Sequence, residues 1–300
     1  MQLLVTGAGG LLGSNIVSTA VQAGHDVLGT YHTDKPDLMA PHRRLDITHH
    51  ETFRKLVNES APDVVVNCAA MTDVDSCESK PTHAEKVNGQ APGNIAAICA
   101  ERNIAFVQVS TDYVFDGKRE TKYREDITPN PIQTYGQTKL TGERRVFECH
   151  PSALIIRLSF VYGVHEDTSD LEGFPAWVVS RLGTGEEVPL FVDQHITPTR
   201  AGQAAETILT LVSDDAAGTY HIACSECVTP YKFGEGICNQ LDIDTSLLME
   251  STTADVSRSA SRPTHTCLDV DRVEARLGRP QPDLAEDLQA IRSSLEAGVR

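Results

Sequence analysis

The sequence predicts an α/β protein built on a doubly wound parallel sheet, with a smaller α/β unit interleaved in its later half. Short apolar runs alternate with segments whose apolar residues recur at helical spacing, the rhythm of successive βαβ units. The runs are near-continuously apolar, as strands are when helices cover both faces of a parallel sheet. Three hundred residues suffice for one large domain, or for one domain with a smaller companion.

QLLVT (2–6) is the first strand and runs into glycines. Residues 11–23 then carry apolar positions at helical spacing, closed by Gly24. HDVLGTY (25–31) is the second strand candidate, and a further short one ends at Asp46. THHETFRKLVNE (48–59) reads as a helix, and PDVVVNCAA (62–70) as a strand entering a loop. Residues 81–102 are helical, IAFVQVS (104–110) is a strand, and a long polar loop leads to a helix over 135–149. ALIIRLS (153–159) is the next strand. Past about residue 160 the rhythm loosens. EEVPLFV (186–192) and GTYHIA (218–223) read as strands, with helices over 199–213, from near Pro230, and over 281–298. The large unit is therefore expected at 1–160 with a return segment at about 187–213. The smaller unit takes about 161–186 and 214–300.

A formal charge of -16 argues against a nucleic-acid partner, whose backbone needs a basic face. No stretch approaches the roughly 20 apolar residues of a membrane span. The N-terminus lacks the basic and apolar regions of a secretion signal, so the chain is expected to work in the cytoplasm. Eight lysines stand against 18 arginines and 42 acids, a balance that suits a high-salt cytoplasm. Eight scattered cysteines read as buried thiols rather than a disulfide framework. His221, Cys224 and Cys227 offer three ligands where a structural zinc site needs four, so no metal is expected there.

After the first strand comes GAGGLLG, with Gly7, Gly10 and Gly13 three residues apart. The spacing departs from G-x-G-x-x-G but keeps its physics: a tight turn, backbone close to a pyrophosphate, and a helix N-terminus facing the negative charge. A Rossmann-type dinucleotide site follows. Thr30-Tyr31-His32 stand where an acid would bind a ribose 2′-hydroxyl, while Lys35, Arg43 and Arg44 lie nearby. NADPH is the expected cofactor, with NADH the alternative. Asp46 could take an adenine amine or cap the next helix.

TYGQTK (134–139) puts Tyr135 and Lys139 one turn apart on one helix face. A neighbouring ammonium is expected to lower a phenol's pKa and let it pass a proton. Read in order, the glycine loop, NCAAMTDVD, VSTDYVFDG, YGQTK, IIRLSFVYG and DQHITPT resemble the extended short-chain dehydrogenases/reductases, and within them the dTDP-4-dehydrorhamnose reductases, over residues 1 to about 278.

That resemblance implies an oxidoreductase acting on a nucleotide-linked 4-keto sugar. Tyr135 would be the general acid, Lys139 the ribose clamp, and Thr111, rather than Ser110, the hydroxyl that orients the reacting oxygen. Cofactor contacts are implied at Gly7, Gly10, Leu11, Leu12, Gly13, Tyr31, His32, Arg43, Asp46, Ile47, Cys68, Ala69, Ala70, Asn88 and Val109, with Asn67 beside them. Thr72, Val74, Thr111, Tyr113, Phe160 and Gln194 would meet the sugar, with Thr199 a further candidate. Arg157, Arg200 and Arg262 are candidates for its diphosphate. Some members join dimers through a metal held by an acid on the first helix. Asn15 stands there, so neither that metal nor that dimer is carried over, and a homodimer stays open. The acidic stretch GVHEDTSDLEGFPAW (163–177) would either reshape the pocket or form a solvated loop. Two other readings share the glycine loop: an epimerase or dehydratase, against which Thr111-Asp112-Tyr113 argues, and a non-catalytic subunit resembling the regulatory subunit of methionine adenosyltransferase.

Overall fold

A computed structural model describes residues 1–298. Seven parallel strands form the large sheet: β1 (Gln2–Thr6), β2 (Asp26–Tyr31), β3 (His42–Arg44), β4 (Val64–Asn67), β5 (Ala105–Thr111), β6 (Leu154–Leu158) and β11 (Gly218–Ile222). Their spatial order is β11-β6-β5-β4-β1-β2-β3. Five short strands complete two small sheets, β7 (Val161–Val164), β8 (Leu171–Glu172) and β10 (Thr199–Arg200) in one, β9 (Val188–Phe191) and β12 (Leu248–Ser251) in the other.

Strand alternation sorts the core. Leu3, Val5, Val64, Val66 and Ile156 face helices α1 (Leu11–Gln22) and α8 (Ala201–Ser213), while Leu4, Val65 and Ile155 face α2 (His50–Ser60), α5 (Ala91–Ala100) and α6 (Thr134–Cys149). Between these faces runs a polar rung. Thr6 donates to Asn67, and Asn67 donates to Gln108 at 2.7 Å, across three adjacent strands. Asn67 therefore braces the sheet instead of lining a cofactor path. A third apolar cluster lies in the smaller unit around Phe233, Ile237 and Leu190, under helices α7 (Phe174–Gly183), α9 (Pro230–Leu241) and α11 (Leu284–Gly298), the last preceded by the short α10 (Asp271–Leu277).

The expected boundaries need two corrections. β9 pairs with β12, so it belongs to the smaller unit rather than to the returning segment. β11 pairs with β6 and closes one edge of the large sheet, although it lies within the span expected to be wholly substrate-binding. Neither short run carries a periodicity that names its partner, and pairing decided both. A disulfide, Cys227–Cys267, corrects the all-thiol expectation. It joins loops 40 residues apart in sequence, brought to a Cα separation of 5.5 Å by the packing of the smaller unit. Cys224 instead turns its thiol to the Glu226 carbonyl, and His221 is buried against Asp269, so those two do not gather round Cys227. No described helix is long and apolar enough to cross a membrane.

Between α3 (Val74–Ser79), α4 (Pro81–Ala84) and α5, residues Glu85–Gln90 widen into a π-helical turn. Asn88 sits in it, buried, and holds the Met71 backbone at both ends: it accepts from the N–H at 2.9 Å and donates to the carbonyl at 2.9 Å. It fixes the loop after β4 from behind.

Candidate active site

β1 is flanked by β4 on one side and β2 on the other, and the strand order reverses there. Loops leaving the C-terminal ends of β1 and β4 part at such a point and open a crevice. Two cavities fill it, one of about 600 Å³ and one of about 270 Å³. Both are lined by Gly7, Ala69 and Ala70, so they form one groove with a neck at the glycine loop.

The neck is built for close approach. Gly7 has φ +70°, and a Cβ there would come within 2.8 Å of the Ala69 nitrogen. Gly10 caps α1 without any side-chain hydrogen bond, so no side chain competes for the first-turn N–H groups at Leu11, Leu12 and Gly13. Partial positive charge at a helix N-terminus favours a phosphate in this position.

The smaller cavity gathers Tyr31, His32, Asp46 and Ile47. Burial raises the Asp46 pKa, but the two Thr48 donors and the nearby His49 and His32 outweigh it and hold the carboxyl below its usual range. Asp46 thus shapes the turn ahead of α2, whose N-cap is His49. Arg43 lies elsewhere, in a separate concavity with Leu28, Met39, Leu56 and Glu59. Successive side chains of a strand face opposite sides, and Arg44 instead donates to the carbonyl of His32, a residue of the smaller cavity's wall, at 3.1 Å.

The larger cavity brings together Thr111, Tyr135 and Lys139 with Cys68, Thr72, Val74, Val109, Tyr113 and Phe160. α6 carries Tyr135 and Lys139, and its first turn seats against residues 112–114: a Cβ on Gly136 would fall 2.0 Å from the Tyr113 carbonyl oxygen. Glu78 of α3 caps the helix, accepting from the Thr134 N–H and hydroxyl at 2.7 Å each. Lys139 donates to the Val109 carbonyl at 2.6 Å. Burial lowers its pKa to about 8, opposed by the charge of Glu143 one turn further on. Burial raises the Tyr135 phenol, with the neighbouring Thr111 hydroxyl pulling the other way. This reverses the expected direction, because the lysine ammonium is engaged by a carbonyl and burial dominates the phenol.

Several groups join the site that sequence reasoning did not assign. Asp112, buried, accepts from Thr111 Oγ1 at 3.0 Å and Ser159 Oγ at 2.8 Å, and burial pushes its pKa up to about 6 despite surrounding hydroxyls. Glu172 enters the larger cavity from β8. The stretch 163–177 is neither a bare solvated loop nor only a pocket wall. It latches over α1: Asn15 donates to the Val164 carbonyl at 3.0 Å, Ser18 to Glu166 at 2.8 Å, and the His165 ring meets the Gly9 carbonyl at 3.3 Å.

Other candidates are spent on packing. Gln194 is buried beside the Pro263 carbonyl and lines neither cavity. Thr199 bridges the Ser159 N–H and the Ile222 carbonyl. Arg157 pairs with Glu143 in two buried hydrogen bonds of 3.0 and 2.7 Å, and Arg200 with buried Asp287 at 2.8 Å, so neither is free for a diphosphate. Arg262, mostly buried, binds Asp75 at 2.7 Å. Phe160 does face the cavity, at a φ of +49° that a bulky residue rarely adopts. It sits edge-on to Phe174, ring centroids 5.4 Å apart.

The pattern of the RmlD substrate binding domain family matches residues 1–296. The chain is 51% identical to the probable low-salt glycan biosynthesis reductase Agl14 of Haloferax volcanii, over 98% of each chain. Its fold superposes on a dTDP-4-dehydrorhamnose reductase of Clostridium acetobutylicum with a TM-score of 0.89 and 32% identity, covering 99% of this chain and all of the other. A dTDP-4-dehydrorhamnose reductase of Bacillus anthracis, solved in complex with NADP, matches with a TM-score of 0.86 and 26% identity over 97% and 98% of the two chains.

Proposed function

Since the chain belongs to the RmlD substrate binding domain family, we propose that it is an NADPH-dependent oxidoreductase that reduces the C4 ketone of dTDP-4-dehydro-L-rhamnose to dTDP-L-rhamnose. The observation that carries this reading is the convergence of Thr111, Tyr135 and Lys139 in one cavity, joined at its neck to the glycine loop.

The residues present fit a dinucleotide. Gly7 leaves a cradle that a Cβ would fill, the first turn of α1 offers its N–H groups to the pyrophosphate, and Lys139 stands where ribose hydroxyls would meet it. Arg44 and His32, with no carboxylate at the end of β2, favour a 2′-phosphate and hence NADPH. When bound, the cofactor supplies the hydride. The chain supplies the rest. Thr111 orients the ketone oxygen, and Tyr135, kept protonated by burial, gives its proton to that oxygen as charge develops. Lys139, still largely charged near neutral pH, would hold the ribose hydroxyls of the cofactor beside Tyr135. Phe160, Tyr113, Thr72 and Val74 bound the space for the sugar.

The test follows oxidation of NADPH, and of NADH in parallel, with enzymatically prepared dTDP-4-keto sugar. Wild-type protein should turn over, and Tyr135→Phe should lose roughly 10²- to 10⁴-fold in kcat, the usual worth of a positioned acid, while still binding cofactor. Tight cofactor binding without turnover of any nucleotide-linked keto sugar would refute the reading and favour a non-catalytic binding role.

A further inference from the structure

Away from the groove, the structure gathers three side chains of the kinds that ligate metals. Cys227, His265 and Cys267 each offer a donor atom, and these atoms all lie within 4.8 Å of one another. We propose that in its dithiol state this cluster is a three-ligand site for a thiophilic divalent cation such as Zn²⁺, with the fourth position open to water.

The spacing fits the ion. Bond lengths of about 2.3 Å to sulfur and about 2.0 Å to nitrogen in a tetrahedron put the two donors about 3.5 Å apart. Cys227 Sγ stands 3.8 Å from His265 Nε2. The two sulfurs are joined here as a disulfide. Reduction by a thiol or phosphine adds two electrons and two protons, one proton to each sulfur, and the cation then displaces both protons.

Backbone rather than the sulfur bridge keeps the donors together. His195 N–H donates to the Thr264 carbonyl at 2.7 Å, and Thr266 N–H to the His195 carbonyl at 2.9 Å. On the other side Ile196 and Val228 exchange both hydrogen bonds at 2.9 Å. Both donor segments are thus bonded to residues 195–196 and stay aligned when the bridge opens. The His195 ring stacks on His265 with centroids 5.4 Å apart, which sets the tilt of the ligand ring. Cys267 is fully buried, while Cys227 and His265 are half-buried and leave an entry path. None of the three lines the catalytic groove, so the site stands whether or not the proposed reduction does.

Co²⁺ is the probe. The full chain is reduced with a trialkylphosphine, desalted without oxygen, and titrated. The reduced wild type should take a single equivalent, with sulfur-to-cobalt charge transfer in the near ultraviolet and tetrahedral bands in the visible, both erased by Zn²⁺. The oxidised form of the same preparation should show neither, a control that needs no variant. Cys227→Ser and Cys267→Ser, checked for folding by circular dichroism, should each lose the charge-transfer band. His265→Ala should weaken binding by at least the roughly 10- to 100-fold that loss of an outer-shell partner costs. Absence of the band in reduced wild type would overturn the proposal. So would its full survival in the Cys227→Ser/Cys267→Ser double variant, which would put the metal on other thiols such as exposed Cys149.

Discussion

Lys139 lies buried beneath the groove with its ammonium on the Val109 carbonyl, and burial brings its pKa down to about 8. The sign is simple: the charged form exists below that value and is lost as pH rises through it. With NADPH varied, kcat/KM should be level near neutrality and fall about tenfold per unit above about pH 8. A profile still level at about pH 9 would show that the charge is not required, or that Tyr135 alone sets the limit. Spacing put Tyr135 and Lys139 on one helix face, but only the family resemblance chose Thr111 over Ser110, and the structure brings all three to one cavity. The direction of the Tyr135 shift was not legible, since it depends on burial, which one-dimensional spacing does not report. Glu143 extends the same face by one more turn, yet its role rests on meeting Arg157 from β6, a partner distant in sequence. Arg43 and Arg44 carry the complementary lesson. Two adjacent cations look equivalent in a string, but a strand sends them to opposite faces.

At the scale of elements, α6 is the part that makes the site, and it is held from three sides. Glu78 caps its start, Gly136 lets it seat against the 112–114 turn, and the Glu143–Arg157 pair ties its middle to β6. A carboxylate at a helix N-terminus satisfies free N–H groups and meets the positive end of the helix dipole. Glu78→Ala should therefore cost about 1–2 kcal/mol in urea unfolding. Glu78→Gln should recover part of that, because its amide oxygen still accepts one bond. If both variants unfold like wild type, the cap carries no stability. Helix existence over 135–149 was plain from the pattern, but its cap lies 56 residues away and has no local signature. The π-turn at Glu85–Gln90 was equally hidden: widening by one residue leaves apolar periodicity almost unchanged.

For the molecule as a whole, the net charge of -16 sets a self-repulsion that salt relieves. At about 1 M salt the screening length falls to about 3 Å, so the melting temperature should climb from low to molar KCl. Indifference to KCl would remove the halophilic reading. The architecture was legible because the parallel strands at the middle of the large sheet are buried and impose a strong common pattern. What escaped was assignment of short strands to sheets, since β9 and β11 look alike as strings and differ only in what they pair with. The bridge between Cys227 and Cys267 escaped for the same reason.

The position of β11 has a consequence for how the chain is made. Six strands of the large sheet have left the ribosome once residue 158 is out, yet the outer edge of β6 stays bare until residues 218–222 follow. During that interval a fully buried strand, Leu154–Leu158, apolar but for Arg157, presents unpaired backbone to any passing sheet. Translation must run through β7 to β10 and α7 to α8 before the gap closes. The nascent polypeptide is thus most prone to stick to its neighbours just when its glycine-loop half looks finished.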